Sequence, residues 1–476
     1  MNIIGRKKEI KELTNLFNSN KPEFVAIYGR RRVGKTFLVS TLFLDKIVFS
    51  HTGISPDSFD KNDRKLRNQL EAFYGSLLSQ GMKPKRKPQT WIDAFTLLIE
   101  FLESKKNSQR QVIFIDELPW LDTAGSNFIP AFSWFWNQYA SKQNNLMLIV
   151  CGSANSWIMD HLINAHDGLY NRLTYSIHLS PFSLKESMDY LLSKNIPVTK
   201  YKTTLISMIL GGIPYYLNYY EDKITIEENI DNLFFNKDAK LSLEFDNLFS
   251  STFDQDKLAK KMVVALSKDK KGCTRKELLE ILKLSDGDRI GKTLKALINS
   301  DFIVEYVPYM KSKKNKFYKV IDPFCLFYLK FVNNNVSLDK TLFNDFSNKS
   351  WTGVAFENLC YYHLDNIKDS LGIKAINTIQ FSWFIEGDEN KKGAQIDLLI
   401  ERKDNIISLC EMKFYNKELK IDKDYHFNII NKIERLKEFN KHKFDIIPTL
   451  ITTFGLDKNL YFDDFGVVIT LDDLFK

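Results

Sequence analysis

Sulfur and imidazole are scarce in this sequence, and neither is clustered. Its 476 residues include five cysteines, Cys151, Cys273, Cys325, Cys360 and Cys410. They are scattered among apolar neighbours without a C-x-x-C pair, which excludes a disulfide framework or a thiolate metal knuckle as the organising feature. The seven dispersed histidines offer no metal-ligand spacing. Reduced, mostly buried thiols and a cytoplasmic protein are the expectation. No apolar run approaches the length that spans a bilayer. The opening residues, Met1 to Glu9, carry no apolar signal-peptide core. No membrane partner is therefore expected, and no internal repeat or long low-complexity tract appears.

What remains is the composition of a globular chain, 44% hydrophobic and 26% charged. It is too long for a single core, so two to four domains are expected. The net charge of +8 is spread along the whole length. That permits contact with nucleic acid and equally describes a solvated basic surface.

The strongest local signal is Gly29-Arg30-Arg31-Arg32-Val33-Gly34-Lys35-Thr36, which satisfies G-x-x-x-x-G-K-S/T at every defined position. The apolar run from Glu23 to Tyr28 reads as a buried strand before it, and Phe37 to Phe43 reads as a helix after it. Strand, glycine loop and helix together make a phosphate cradle, in which backbone N–H groups and the helix N-terminus face an anion. In that reading Lys35 reaches the β- and γ-phosphates of ATP and Thr36 holds Mg²⁺. A second apolar strand, Gln111 to Ile115, ends in Asp116-Glu117, the pattern in which Asp116 binds Mg²⁺ through water and Glu117 polarises the attacking water. Further strands are expected at 46–51, 145–151 and 174–179, and a helix at 91–103. After the fourth strand, Ser153 or Asn155 could sense a γ-phosphate, or the segment could simply cap a helix. Arg172 could reach its own nucleotide or, in a homo-oligomer, a neighbour's; a plain surface arginine fits equally well.

Gly5-Arg6, Asp116-Glu117-Leu118-Pro119-Trp120, Gly152-Ser153, Pro181-Phe182 and Gly211-Gly212-Ile213-Pro214-Tyr215 form a set. As a set they resemble the archaeal-type ATPase family, AAA-like P-loop proteins related to the STAND signalling ATPases. The resemblance covers about residues 1–250. It implies an α/β core with a parallel sheet, a nucleotide-base contact near Gly5-Arg6, and a helical lid at 184–246.

Beyond it, helices are expected at 256–267, 273–282 and 288–299, the second opened by a capping box of Thr274 and Glu277. Strands at 302–306 and 316–321 flank a basic turn. Three helices and a hairpin are the winged-helix plan, with Arg289, Lys292 and Lys295 on its third helix and Lys311, Lys313 and Lys314 on its wing. These could meet DNA phosphates, or the domain could be a spacer or docking module.

The C-terminal third carries Asp397 and, across an expected hairpin, Glu411-Met412-Lys413. Glu411 and Lys413 are two apart on a strand and share a face. Asp397 and Glu411 could then meet at one Mg²⁺, with Lys413 beside the scissile phosphate and Glu357 offering another carboxylate from a helix. The pattern resembles the PD-(D/E)xK nuclease fold, and in the archaeal-type ATPase family this region is often called DUF234. Surface ion pairs would also account for the three residues. The domain expectation is thus an ATPase core at 1–182, a lid at 183–252, a winged helix at 253–335 and a nuclease-like α/β domain at 345–476. The function expected is an ATPase coupled to a DNA nuclease, or a regulatory switch whose last domain binds DNA or protein without cleaving.

Overall fold

The computed structural model describes residues 2–55, 65–153, 155–164, 168–250, 252–253, 256–310, 316–333, 349–387, 389 and 391–476. The chain forms two units. The first comprises Met1–Pro181, Asp246–Lys260 and Asp288–Asp301, and the second Phe182–Phe245, Lys261–Gly287 and Phe302–Lys476.

The first unit opens with α1 (Lys7–Phe17), β1 (Glu23–Tyr28), α2 (Lys35–Leu42) and β2 (Ile47–Thr52). Then come α3 (Lys65–Ser79), α4 (Trp91–Ser104), β3 (Gln111–Asp116), α5 (Phe128–Gln138) and β4 (Leu146–Gly152). A short α6 (Asn155–Ile158) runs into a wider turn before β5 (Tyr175–His178). All five strands are parallel, in the order β2-β3-β4-β1-β5. β1, β3 and β4 are apolar almost throughout because both faces of the sheet are covered. Thr90 and Asp93 close a capping box that fixes where α4 begins. α4 then delivers Trp91, Phe95, Leu98 and Phe101 to a core shared with Phe49, Phe73, Phe128, Phe132 and Phe135. α3 has the helical period too, with Leu70, Phe73, Tyr74 and Leu77 buried. β4 lies between β1 and β3, so its carboxyl end separates the glycine loop from Asp116-Glu117.

Five helices follow: α7 (Leu184–Ser193), α8 (Lys200–Leu210), α9 (Pro214–Leu217), α10 (Ile226–Phe234) and α11 (Glu244–Ser250). Next are α12 (Asp256–Leu266), β6 (Cys273–Thr274), α13 (Arg275–Leu282), α14 (Asp288–Asn299), β7 (Ile303–Tyr306) and β8 (Phe317–Val320). Thr274 and Glu277 form the expected capping box. A two-residue strand not expected from the sequence, β6, pairs antiparallel with β8 and gives a three-stranded sheet ordered β6-β8-β7. Lys311, Lys313 and Lys314 lie outside the described residues.

The chain ends with α15 (Pro323–Phe327), α16 (Lys349–Tyr362), α17 (Leu364–Ser370), β9 (Thr378–Ile385), β10 (Ala394–Arg402) and β11 (Ile406–Lys413). α18 (Lys423–Phe439), β12 (Asp445–Thr452), β13 (Val467–Ile469) and α19 (Leu471–Leu474) complete it. The second five-stranded sheet is mixed, ordered β13-β12-β11-β10-β9. β9, β10 and β11 run antiparallel as a meander, and β12 and β13 are parallel to β11. Among the described residues no helix is long and apolar enough to cross a membrane.

Candidate functional site

The carboxyl ends of β1, β3 and β4 bring the first set of residues together, where parallel α/β sheets place their ligands. Gly29 leaves β1 at φ 144°, and a Cβ there would sit 2.3 Å from the Leu179 carbonyl oxygen, so only glycine lets the loop pass. Lys35, the first residue of α2, is buried and folds back into its own loop. Its Nζ donates to the carbonyls of Gly29, at 2.8 Å, and Arg30, at 3.0 Å. Burial pushes the ammonium below its ordinary value, while Glu117 and Asp116 oppose that shift. Arg6 is also buried, and its guanidinium donates to the Val33 carbonyl at 3.1 Å. It braces the loop from behind.

The Thr36 hydroxyl donates to Asp116 at 2.6 Å. Burial raises the Asp116 carboxyl, and the Thr36 hydrogen bond works against it. A hydroxyl and a carboxylate in contact are a donor set that suits Mg²⁺, which keeps waters and phosphate oxygens for its other positions. Glu117 is held in the left-handed region at φ 46°. Its Oε2 accepts from both the Ser153 backbone N–H, at 3.0 Å, and the Ser153 hydroxyl, at 2.8 Å. Ser153 therefore engages the acid expected to activate water. Gly29 through Thr36, Asp116, Glu117 and Ser153 thus gather on one sheet edge. Arg172 stands exposed in the turn before β5. Among the described residues its side chain makes no hydrogen bond with Lys35, Thr36, Asp116 or Glu117.

A second set lies in the other unit. β10 pairs Leu398 with Cys410 of β11, one step from Asp397 and Glu411. The register between β10 and β9 shifts between Ile396 and Leu399, a bulge that re-aims the strand at Asp397. The Asp397 carboxylate accepts from Gln395 Nε2 at 2.9 Å, and its carbonyl accepts from the Tyr361 hydroxyl. Glu357 of α16 has its carboxyl pushed up to about 7, first by burial and then by the charge of Asp397.

Glu411 is buried, and one carboxylate oxygen is paired with Lys432 of α18. The other lies 3.7 Å from Lys413 Nζ. Lys432 was not foreseen, because nothing local marks one lysine on a helix that carries several. Two ammonium groups thus compensate Glu411 where a metal shared with Asp397 was expected. Among the described residues no group of three or more His, Cys, Asp or Glu side chains is placed to hold a metal. On α14, Lys295 pairs with Asp160 at 2.8 Å, while Arg289 and Lys292 are exposed.

Comparison with known proteins bears on the first set. An uncharacterized protein of Methanocaldococcus jannaschii is 25% identical over 405 residues, 83% of each chain. An uncharacterized ATP-binding protein of the same organism is 42% identical over 43 residues, 9% of this chain and 73% of the relative. Among solved structures, a Walker-type ATPase of Pyrococcus abyssi matches 69% of this chain and 96% of its own, at 18% identity and a TM-score of 0.46. The ORC2 protein of Aeropyrum pernix matches 70% and 93%, at 12% identity and a TM-score of 0.42. Residues 3–220 match the family described as an ATPase domain predominantly from Archaea, and this segment is an ATPase domain of that archaeal type.

Proposed function

We propose that the chain is an ATP-hydrolysing switch whose state controls a nucleic-acid-binding C-terminal domain. The observation that carries this reading is the Glu117–Ser153 contact beside the Lys35 loop and the Thr36–Asp116 pair. It supplies a cation for phosphates, a place for Mg²⁺ and a carboxylate for water on one sheet edge. When bound there, Mg²⁺ supplies charge neutralisation on the β- and γ-phosphates. Lys35 exchanges its loop carbonyls for phosphate oxygens, and Glu117 leaves Ser153 to orient the attacking water. Arg172 stabilises transition-state charge on its own nucleotide or across a homo-oligomer.

In this reading residues 1–182 are the ATPase core and 183–252 its lid. Residues 253–335 are a winged helix, supported by the order α12-β6-α13-α14-β7-β8, and 345–476 are the nucleic-acid-binding domain. The setting is cytoplasmic. Lys35→Ala should abolish nucleotide binding, and Glu117→Gln should keep binding while losing turnover. Equal hydrolysis by wild type and Glu117→Gln would sink the assignment.

A second reading makes the last domain a nuclease. The order α16-α17-β9-β10-β11-α18-β12 favours it, with Asp397 on a bulge and Glu411-Met412-Lys413 on the adjacent strand. Cleavage of plasmid or single-stranded DNA with Mn²⁺, lost in Asp397→Ala, Glu411→Ala and Lys413→Ala, would establish it. If the wild type takes up no Mn²⁺ in calorimetry, with DNA and ATP present, the domain only binds.

A further inference from the structure

Within the second unit a small cavity of about 60 Å³ opens beside Asp397, lined among others by Lys270, Lys271, Tyr306, Lys319 and Gln395. Lys319 comes from β8 of the three-stranded sheet, whereas Gln395 and Asp397 come from β10. The cavity is therefore built by two sheets far apart in sequence, and the lysines are placed in it by backbone constraints. Gly272 sits at φ 70°, and a Cβ there would lie 1.9 Å from the Tyr318 carbonyl oxygen. Only glycine allows that approach, and it brings Lys270 and Lys271 against the strand that carries Lys319. The Tyr306 hydroxyl, donating to the Lys271 carbonyl at 2.6 Å, ties the same turn down. The Asp269 carboxylate accepts the Lys271 N–H at 2.8 Å and shapes the turn further.

The three lysines outnumber the two carboxylates that act on them, Glu357 and Asp397. Lys271 Nζ lies 4.4 Å from the centre of the Phe384 ring and Lys319 Nζ 5.8 Å from that of Tyr361. Among the described residues no ion pair within 4 Å joins any of the three ammonium groups to a carboxylate. Asp397, the acid lining the cavity, already accepts from Gln395. Burial holds the Lys319 ammonium below its ordinary value, and neighbouring Lys270 adds to this against the pull of Glu357 and Asp397. Three lysines around one recess are completed by an anion. Lysine acts on phosphate as a point charge without demanding a planar partner.

We propose that Lys270, Lys271 and Lys319 form a subsite for one phosphodiester of a single nucleic-acid strand, seated next to Asp397. A flexible strand can lower a phosphate into such a recess, which the stiff backbone of a duplex cannot do. The proposal rests on the reading of the C-terminal domain as nucleic-acid-binding, and it gives that domain its contact. It also makes the three-stranded sheet part of that site.

The test uses the full chain in EDTA, with a fluorescein-labelled single-stranded DNA read by anisotropy across a salt series. Lys319→Gln should weaken binding roughly tenfold, as expected for loss of a charge-assisted contact. It should also lower the slope of log K against log salt by about 0.7. Lys270→Gln with Lys271→Gln should do the same, and Lys319→Arg should restore most of the affinity. Circular dichroism melts establish that each variant is folded.

Unchanged affinity and slope in both glutamine variants would overturn the subsite. So would displacement of the strand by an equal concentration of inorganic phosphate, which marks a pocket for free anions. If those variants are unchanged while Arg289→Glu with Lys292→Glu loses DNA, the subsite fails and the nucleic-acid contact belongs to α14. If the wild type binds neither single strand nor duplex, the reading itself fails.

Discussion

His51 makes the ATPase unit sensitive to acid. It lies on β2, in register with Ile115, and the next pair in that ladder is Thr52 with Asp116. The ring is buried, edge-on to Phe73 at 5.0 Å. Its Nδ1 is 2.9 Å from the Ser76 hydroxyl, which itself donates to the Ala72 carbonyl at 3.2 Å. With that hydroxyl hydrogen used, the ring must donate from Nδ1, so it is the neutral tautomer with a bare Nε2. Nε2 is buried and, among the described residues, without a partner. A second proton would place a charge and an unsatisfied N–H in the core, and burial accordingly brings the pKa down from 6.5 to about 4.

The difference corresponds to about 3 kcal/mol. The unfolded chain takes up the proton first as pH falls. The stability is therefore fully present above pH 6.5 and is lost progressively down to about pH 4, with a slope approaching about 1.4 kcal/mol per pH unit. Urea unfolding of wild type and His51→Phe, followed by tryptophan fluorescence over that window, isolates the contribution. The gap between the two proteins should change by about 3 kcal/mol in favour of the variant towards the acid end. A gap independent of pH would refute the assignment of a neutral buried ring.

Four further outcomes follow from the other sites. Ser153→Ala removes the hydroxyl that holds Glu117 and should raise basal ATP turnover roughly three- to tenfold; a fall in kcat would mean that Ser153 acts on the nucleotide instead. Glu357 loses its proton near pH 7 when folded and near 4.5 when unfolded, so its charge costs stability that is fully lost above pH 7. In EDTA, Glu357→Gln should therefore melt above wild type near pH 8 and close to it near pH 4.5; equal melting temperatures at both would count against the buried carboxyl. Charge reversal of Arg289 and Lys292 should reduce DNA affinity and its salt slope if α14 meets phosphates, and unchanged binding would make that helix a spacer. Lys295→Gln should matter less there, because its charge is already spent on Asp160.

Much of the molecule was settled by short-range chemistry, which a sequence carries openly. The loop from Gly29 to Thr36 needs glycine where the backbone must pass Leu179 and a lysine at the helix start, and both requirements are local. Asp116-Glu117 ends an apolar strand whose burial on both faces shows as an unbroken run. The capping box of Thr274 and Glu277 spans a single helical turn, and the hairpin bearing Asp397 and Glu411 spans one tight connection. α3 was legible in principle through Leu70, Phe73, Tyr74 and Leu77, but its polar neighbours mask the stripe.

Other features needed the tertiary structure because their partners are distant along the chain. That β4 lies between β1 and β3 determines that Ser153, and not an unspecified polar residue after the strand, meets Glu117. β6 is two residues long and exists only because β8 is there to pair with it. Lys432 lies 21 residues from the glutamate it neutralises, and Lys319 reaches the cavity beside Asp397 from another sheet. Periodicity and motif report which face of an element is buried and which loop can hold an anion. Whether a carboxylate meets a metal or an ammonium depends on which long side chain a separate helix brings within ion-pairing distance, and only the packed fold decides that.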